Sequence, residues 1–195
     1  MWIVTGARGG VNARPRQRNV VLTPSGSWHG HGHDGDRPAT WIDYLDVPLV
    51  QLLEPIFFEP HPAGIEKPER ETPDSPFIFS FSNTEAQLAT APVDPQYGRQ
   101  VELGKPALKT MGLYMASLEA GSQTAPLKTT ANNVYTVVRG EGRTVVDGET
   151  FDWQRGDVIA APSWREHHHL AGSESVLFRV SDAPVLSALG LLRSA

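Results

Sequence analysis

Three histidines stand on alternate residues in "SWHGHGHDGD", Ser27 to Asp36: His29, His31 and His33. In extended backbone alternate residues share one face, so the three imidazoles can converge on one point. Neutral imidazole is a ligand for borderline divalent metals and, with its near-neutral pKa, a carrier of protons. The stretch therefore reads as a metal site, a catalytic site, or inherited cleft histidines that hold nothing. A second cluster, "PSWREHHHLA", Pro162 to Ala171, carries His167, His168 and His169 near the other end of the chain. For this cluster a structural role is the expected one.

These residues need a scaffold, and the chain can supply it. Its 195 residues, 39% hydrophobic and 20% charged, suit a soluble globular protein of one domain or somewhat more. No apolar run is long enough for a bilayer span or a secretory leader. The absence of cysteine removes disulfides, thiolate sites and cysteine nucleophiles, and fits a cytoplasmic protein. A net charge of -5 argues against a nucleic-acid surface.

Residues 54–107 hold nine of the 16 prolines, and nine acidic against four basic residues. They read as an acidic connector whose prolines forbid long helices, with a helical turn or two in "NTEAQLATA" from Asn83. The flanks are β-rich. "VYTVVRGEGRTVVDG" places two β-branched runs around "RGEG", a hairpin signal, and its "DG" marks the next turn. Short strands between glycine turns imply an all-β sandwich or barrel.

The chain also repeats itself. At an offset of 138 residues Pro24 meets Pro162, Ser25 meets Ser163, His29 meets His167 and His31 meets His169. After a two-residue slip "LDVPL" from Leu45 meets "SDAPVL" from Ser181. Two copies of one β unit are expected, one on each side of the connector.

The second copy resembles the second signature of the cupin barrel at Gly156, Pro162 and His167, with Trp164 in place of a glycine and Ala171 in place of an asparagine. Counted back from Gly140, the first signature puts its glutamate at Asn133 and its two histidines at Pro126 and Lys128. The longer phrases "VVLTPSGSWHGHGHDGDRPATWIDYLDVPLVQLLEPIFFE" and "VYTVVRGEGRTVVDGETFDWQRGDVIAAPSW" resemble the bicupin family of gentisate 1,2-dioxygenase and 1-hydroxy-2-naphthoate dioxygenase. That resemblance implies a cupin double-stranded β-helix, or jelly roll. Residues 1–53 would be the latter part of a first barrel, 54–107 the connector and 108–195 a complete second barrel.

It further implies an oxidoreductase that opens a hydroxylated aromatic acid with dioxygen at Fe(II). On the matching word "SWHGHG", His29 takes the place of an iron ligand and His31 that of a proton donor or acceptor beside the substrate. Asp43, in "WIDYLD", takes the place of an acidic pocket residue. The family's other two ligands form a His-x-His pair, which the 138-residue offset places ahead of Met1. Fe(II) binding by this sequence alone is accordingly expected to be weak. Two other readings remain: a non-catalytic cupin fragment or assembly module, and one half of a split dioxygenase completed by a companion cupin chain. Open strand edges and "PIFFEP" point to a homo-oligomer.

Overall fold

The computed structural model describes residues 19–23, 36, 38, 40–55, 58–64, 75–104 and 108–195. The chain divides into two compact units, residues 1–83 and 84–195. No described helix is long and apolar enough to cross a membrane.

In the first unit a short strand, β1 (Val20–Val21), forms where "NVVL" concentrates β-branched residues. Its antiparallel partner is β2 (Ile78–Phe79), with Val20 opposite Phe79 and Val21 opposite Ile78. Val20, Val21 and Leu22 are buried. Helix α1 (Val47–Leu52) starts after Asp46, with a proline in its first turn. Its lack of a backbone donor costs nothing there. Helix α2 (Phe81–Thr90), most of which belongs to the second unit, is longer than the turn or two expected of this segment. Ser80 Oγ accepts the Asn83 N–H at 3.3 Å, supplying one of the partners a helix start needs.

The second unit is a barrel of two antiparallel sheets. Its strands are β3 (Val93–Asp94), β4 (Gly98–Leu103), β5 (Gly112–Leu118), β6 (Asn133–Arg139), β7 (Glu141–Val146), β8 (Glu149–Gln154), β9 (Val158–Ala161), β10 (His167–Ala171) and β11 (Ser175–Ser181). The larger sheet runs β3-β4-β5-β11-β6-β9 and the smaller β10-β7-β8. Part of the proline-rich stretch is thus woven into the barrel, through β4 against β5. Leu118, Tyr135, Val137, Ile159, Ala161 and Leu177 of one sheet meet Trp153 and Ala171 of the other in a single buried cluster. This is the jelly-roll barrel that the resemblance implies.

Two turn signals had different fates. "DG" is the hairpin turn expected: Asp147 (φ 47) and Gly148 (φ 87) are both left-handed, as a tight two-residue turn between β7 and β8 demands. "RGEG" is not a hairpin, because β6 pairs with β11 and β9 while β7 pairs with β10 and β8. The chain passes from one sheet to the other at Gly140 (φ 90), where a Cβ would lie 2.2 Å from Ser175 Oγ. Only glycine fits that corner.

The two aligned words "LDVPL" and "SDAPVL" both start a short helix. Helix α3 (Ala183–Ala188) follows Asp182 as α1 follows Asp46, with a proline in the first turn of each. Asp46 (φ -89, ψ 15) and Asp182 (φ -84, ψ 8) share one backbone conformation.

Candidate functional site

Strand alternation in β10 decides where the second histidine cluster points. His167, His169 and Ala171 are buried, whereas His168 and Leu170 are half-buried. His167 therefore faces the barrel interior, as its signature position predicts, and His169 joins it.

Both rings are held by hydrogen bonds. His167 Nε2 lies 2.8 Å from the Tyr135 hydroxyl, and its Nδ1 3.4 Å from the Arg165 carbonyl. The hydroxyl donates to Nε2, and the Nδ1 hydrogen points at the carbonyl. His169 Nδ1 lies 2.8 Å from Thr144 Oγ1, which also accepts the Trp153 Nε1 hydrogen at 2.9 Å. Gly142 lets the indole reach that far, since a Cβ there would meet Trp153 Cη2 at 2.6 Å. The Tyr135 ring packs edge-on against His169, 4.4 Å between centroids.

Burial disfavours every charged form here. It pushes the His169 pKa down to about 3 and lowers that of His167; neighbouring cationic groups act in the same direction on both. Burial also raises Tyr135 far above the usual phenol range. At neutral pH the interior holds two neutral imidazoles and a neutral phenol. The cation among them is Arg179 of β11, 6% exposed. Its Nη1 donates to Asn133 Oδ1 at 3.0 Å and its Nη2 to Gln100 Oε1 at 2.9 Å. The Tyr97 and Tyr114 rings lie 4.1 and 4.0 Å from the guanidinium carbon.

The two ligand positions of the first signature fall one residue away from those read in the sequence. Leu127 pairs with His167 through two main-chain hydrogen bonds, 2.8 and 2.9 Å, and its side chain is 3% exposed. Thr129 is also buried. Pro126 is exposed, and Lys128 lies over the Trp164 ring at 5.3 Å. Leu127 and Thr129 are thus the inward pair, and the assignment to Pro126 and Lys128 is corrected. Three residues separate Thr129 from Asn133, and five separate Gly121 from Leu127, a spacing the signature also permits. Trp164, at a glycine position of the signature, has a left-handed backbone (φ 61), and its N–H donates to the Thr129 carbonyl at 2.7 Å.

This interior does not fit a bound iron. Its inward pair is an aliphatic side chain and a hydroxyl, and His167 Nε2 already accepts a hydrogen bond. Among the described residues no group of three or more His, Cys, Asp or Glu is placed to hold a metal. An open cleft of about 740 Å³ lies elsewhere on the barrel, lined by Glu141, Arg143, Asp152, Trp153 and Asp157 among others. It contains none of the histidines.

His29, His31 and His33 lie outside the described residues. Asp43 is exposed, in the irregular segment ahead of α1. Tyr135, Thr144, Trp153 and Arg179 were not singled out from the sequence. For Arg179 a signal existed: a lone arginine inside "SVLFRVS", a strand buried at every position.

The comparisons agree with this geometry. The family model "Cupin domain" matches residues 114–180, from β5 to β11. Gentisate 1,2-dioxygenase of Streptomyces sp is 33% identical over 215 residues, covering 92% of this chain and 60% of that protein. 5-aminosalicylate 1,2-dioxygenase of Comamonas sp is 30% identical, covering 90% of this chain and 55% of that one. The solved salicylate 1,2-dioxygenase of Pseudaminobacter salicylatoxidans superposes with a TM-score of 0.67 at 25% identity, over 77% of this chain and 53% of its own. The chain carries a cupin domain and is similar over about nine-tenths of its length to gentisate and 1-hydroxy-2-naphthoate dioxygenases, and it spans rather more than half the length of the relatives it matches.

Proposed function

We propose that this chain is a gentisate 1,2-dioxygenase-like protein of aromatic-acid catabolism, taking part in Fe(II)-dependent ring cleavage with its C-terminal barrel as a metal-free support. One observation carries the division of labour. The C-terminal barrel has Leu127 and Thr129 at the ligand positions and commits His167 to Tyr135.

In this reading iron chemistry belongs to the first unit. His29 is a ligand, His31 holds or moves a proton beside the substrate, and Asp43 is an acidic residue of the pocket. Within this sequence only His29 matches the family's ligand set, so a three-histidine site requires two imidazoles supplied from outside it. A longer form of the same polypeptide or a companion cupin chain would meet that need. Exposed Leu52, Leu53 and Phe58, the last at 90%, support a homo-oligomer, to be checked by light scattering at micromolar concentration.

Calorimetric titration with Fe(II) tests the reading. Weak, substoichiometric binding is expected, abolished by His29→Ala and untouched by His167→Ala. Tight one-to-one binding that survives His29→Ala would overturn it.

A further inference from the structure

The smaller sheet ends at β8, with no strand of the described residues beyond it. The directions of its main-chain groups follow from the turn that precedes it. In a tight two-residue turn the Glu149 N–H points back to the Val146 carbonyl, so Glu149 bonds toward β7. That direction alternates along a strand. Phe151 and Trp153 therefore also bond toward β7, and Thr150, Asp152 and Gln154 present their groups outward.

Gln154 is already closed. Its N–H donates to Asp157 Oδ2 at 2.9 Å, and its carbonyl accepts the Asp157 N–H at 3.0 Å. Among the described residues nothing closes Thr150 or Asp152 in this way, and both are exposed. Midway between them stands Phe151, 46% exposed although it shares a face of the strand with buried Trp153.

An open edge is satisfied by another strand, and two open positions two residues apart complement themselves. About a two-fold axis at Phe151, Thr150 of one copy lies opposite Asp152 of the other. Each then exchanges both main-chain bonds with its opposite. The phenyl rings meet as a non-hydrogen-bonded pair, the closer kind, with Cα atoms about 4.5 Å apart. The register centred on Asp152 fails twice: it needs Gln154, which is closed, and it sets two carboxylates directly opposite.

We propose that β8 is a self-complementary edge, through which two copies of this chain pair antiparallel about Phe151 and join their smaller sheets into one. This rests on the homo-oligomer reading above and deepens it by naming a surface and a register.

The test exploits the absence of native cysteine. Phe151→Cys in the full chain should form an intermolecular disulfide under mild oxidation, because its Cα spacing lies within the range of about 4.4–6.8 Å that the bond accepts. Asp152→Cys, two residues out of line with its own copy, should not. Thr150→Pro removes an outward N–H where an edge strand tolerates proline, and adding it to Phe151→Cys should abolish the link. Should the proline variant fail to fold, Phe151→Lys, at an exposed position, sets like charges opposite and should lower the assembled mass in light scattering. Absence of the Phe151→Cys link, an equal link in Asp152→Cys, a link that survives Thr150→Pro, or a mass unchanged by Phe151→Lys would overturn the proposal. An oligomer found without the link would sink the edge and leave the homo-oligomer reading standing.

Discussion

Replacing Leu127 and Thr129 together by histidine is expected to turn the C-terminal barrel into a three-imidazole metal site with His167. Fe(II) affinity should rise more than tenfold. The main-chain pairing of Leu127 with His167 brings the two strands side by side, and Thr129, two residues on, is buried like Leu127. Tenfold is only about 1.4 kcal/mol, and two added neutral imidazoles should exceed it. His167 must first give up its bond to Tyr135, a net cost of about 1 kcal/mol. Adding Tyr135→Phe should therefore raise affinity further, and adding His167→Ala should cancel the gain. Pro126→His with Lys128→His is the control, and should leave affinity unchanged because Pro126 is exposed and Lys128 packs over Trp164. Calorimetry on the folded variants reads the result. A gain in the control without one in the Leu127 and Thr129 pair would refute the register.

Acid is the second large effect. Both inward histidines have folded-state pKa values below the usual histidine value, His169 at about 3. Above pH 6.5 neither state is protonated at these sites, and they contribute no pH dependence. Below it the unfolded chain takes up protons that the folded barrel refuses, so stability falls as pH falls. Each such histidine costs up to about 1.4 kcal/mol per pH unit until its folded pKa is reached. For His169 this sums to on the order of 4 kcal/mol between pH 6.5 and 3, a large share of the roughly 5–15 kcal/mol that holds a domain together. Urea denaturation between pH 7.5 and 4.5 should show the midpoint sliding steadily downward, and His169→Gln should flatten the slope. A midpoint that stays constant from pH 7 to pH 5 would contradict the buried, neutral assignment.

Sequence and structure agree where a local pattern has one physical solution. Asp147-Gly148 requires a tight left-handed turn, and the two Asp-x-Pro words each start a short helix at matching places in the repeat. His167 points inward because its signature places it on an alternating strand. Disagreement appears where the pattern has two solutions. β-branched runs on either side of a glycine announce strands but not which sheet each joins, so "RGEG" read as a hairpin although Gly140 is a crossover. The first cupin signature tolerates three or four residues before its glutamate position. Without ligands to mark it, the choice of four displaced the inward pair from Leu127 and Thr129 to Pro126 and Lys128. The polar interior was harder to see. Tyr135, Thr144 and Trp153 come from three strands of two different sheets and meet only when those sheets pack face to face. Arg179 alone carried a visible warning, a charge within an apolar strand.

The central claim is that the imidazoles of the C-terminal barrel are structural and that iron, where this protein uses it, is held elsewhere. Histidine ¹⁵N spectra of the full chain, recorded before and after one equivalent of Zn(II) as a diamagnetic probe, test it directly. His167 should carry its hydrogen on Nδ1 and accept at Nε2, while His169 should show the opposite tautomer. Neither set of signals should move when metal is added, and any response should fall on His29 and its neighbours. Loss of the His169 Nε2 hydrogen, or a shift of His167 Nε2 into the metal-bound range, would contradict the claim.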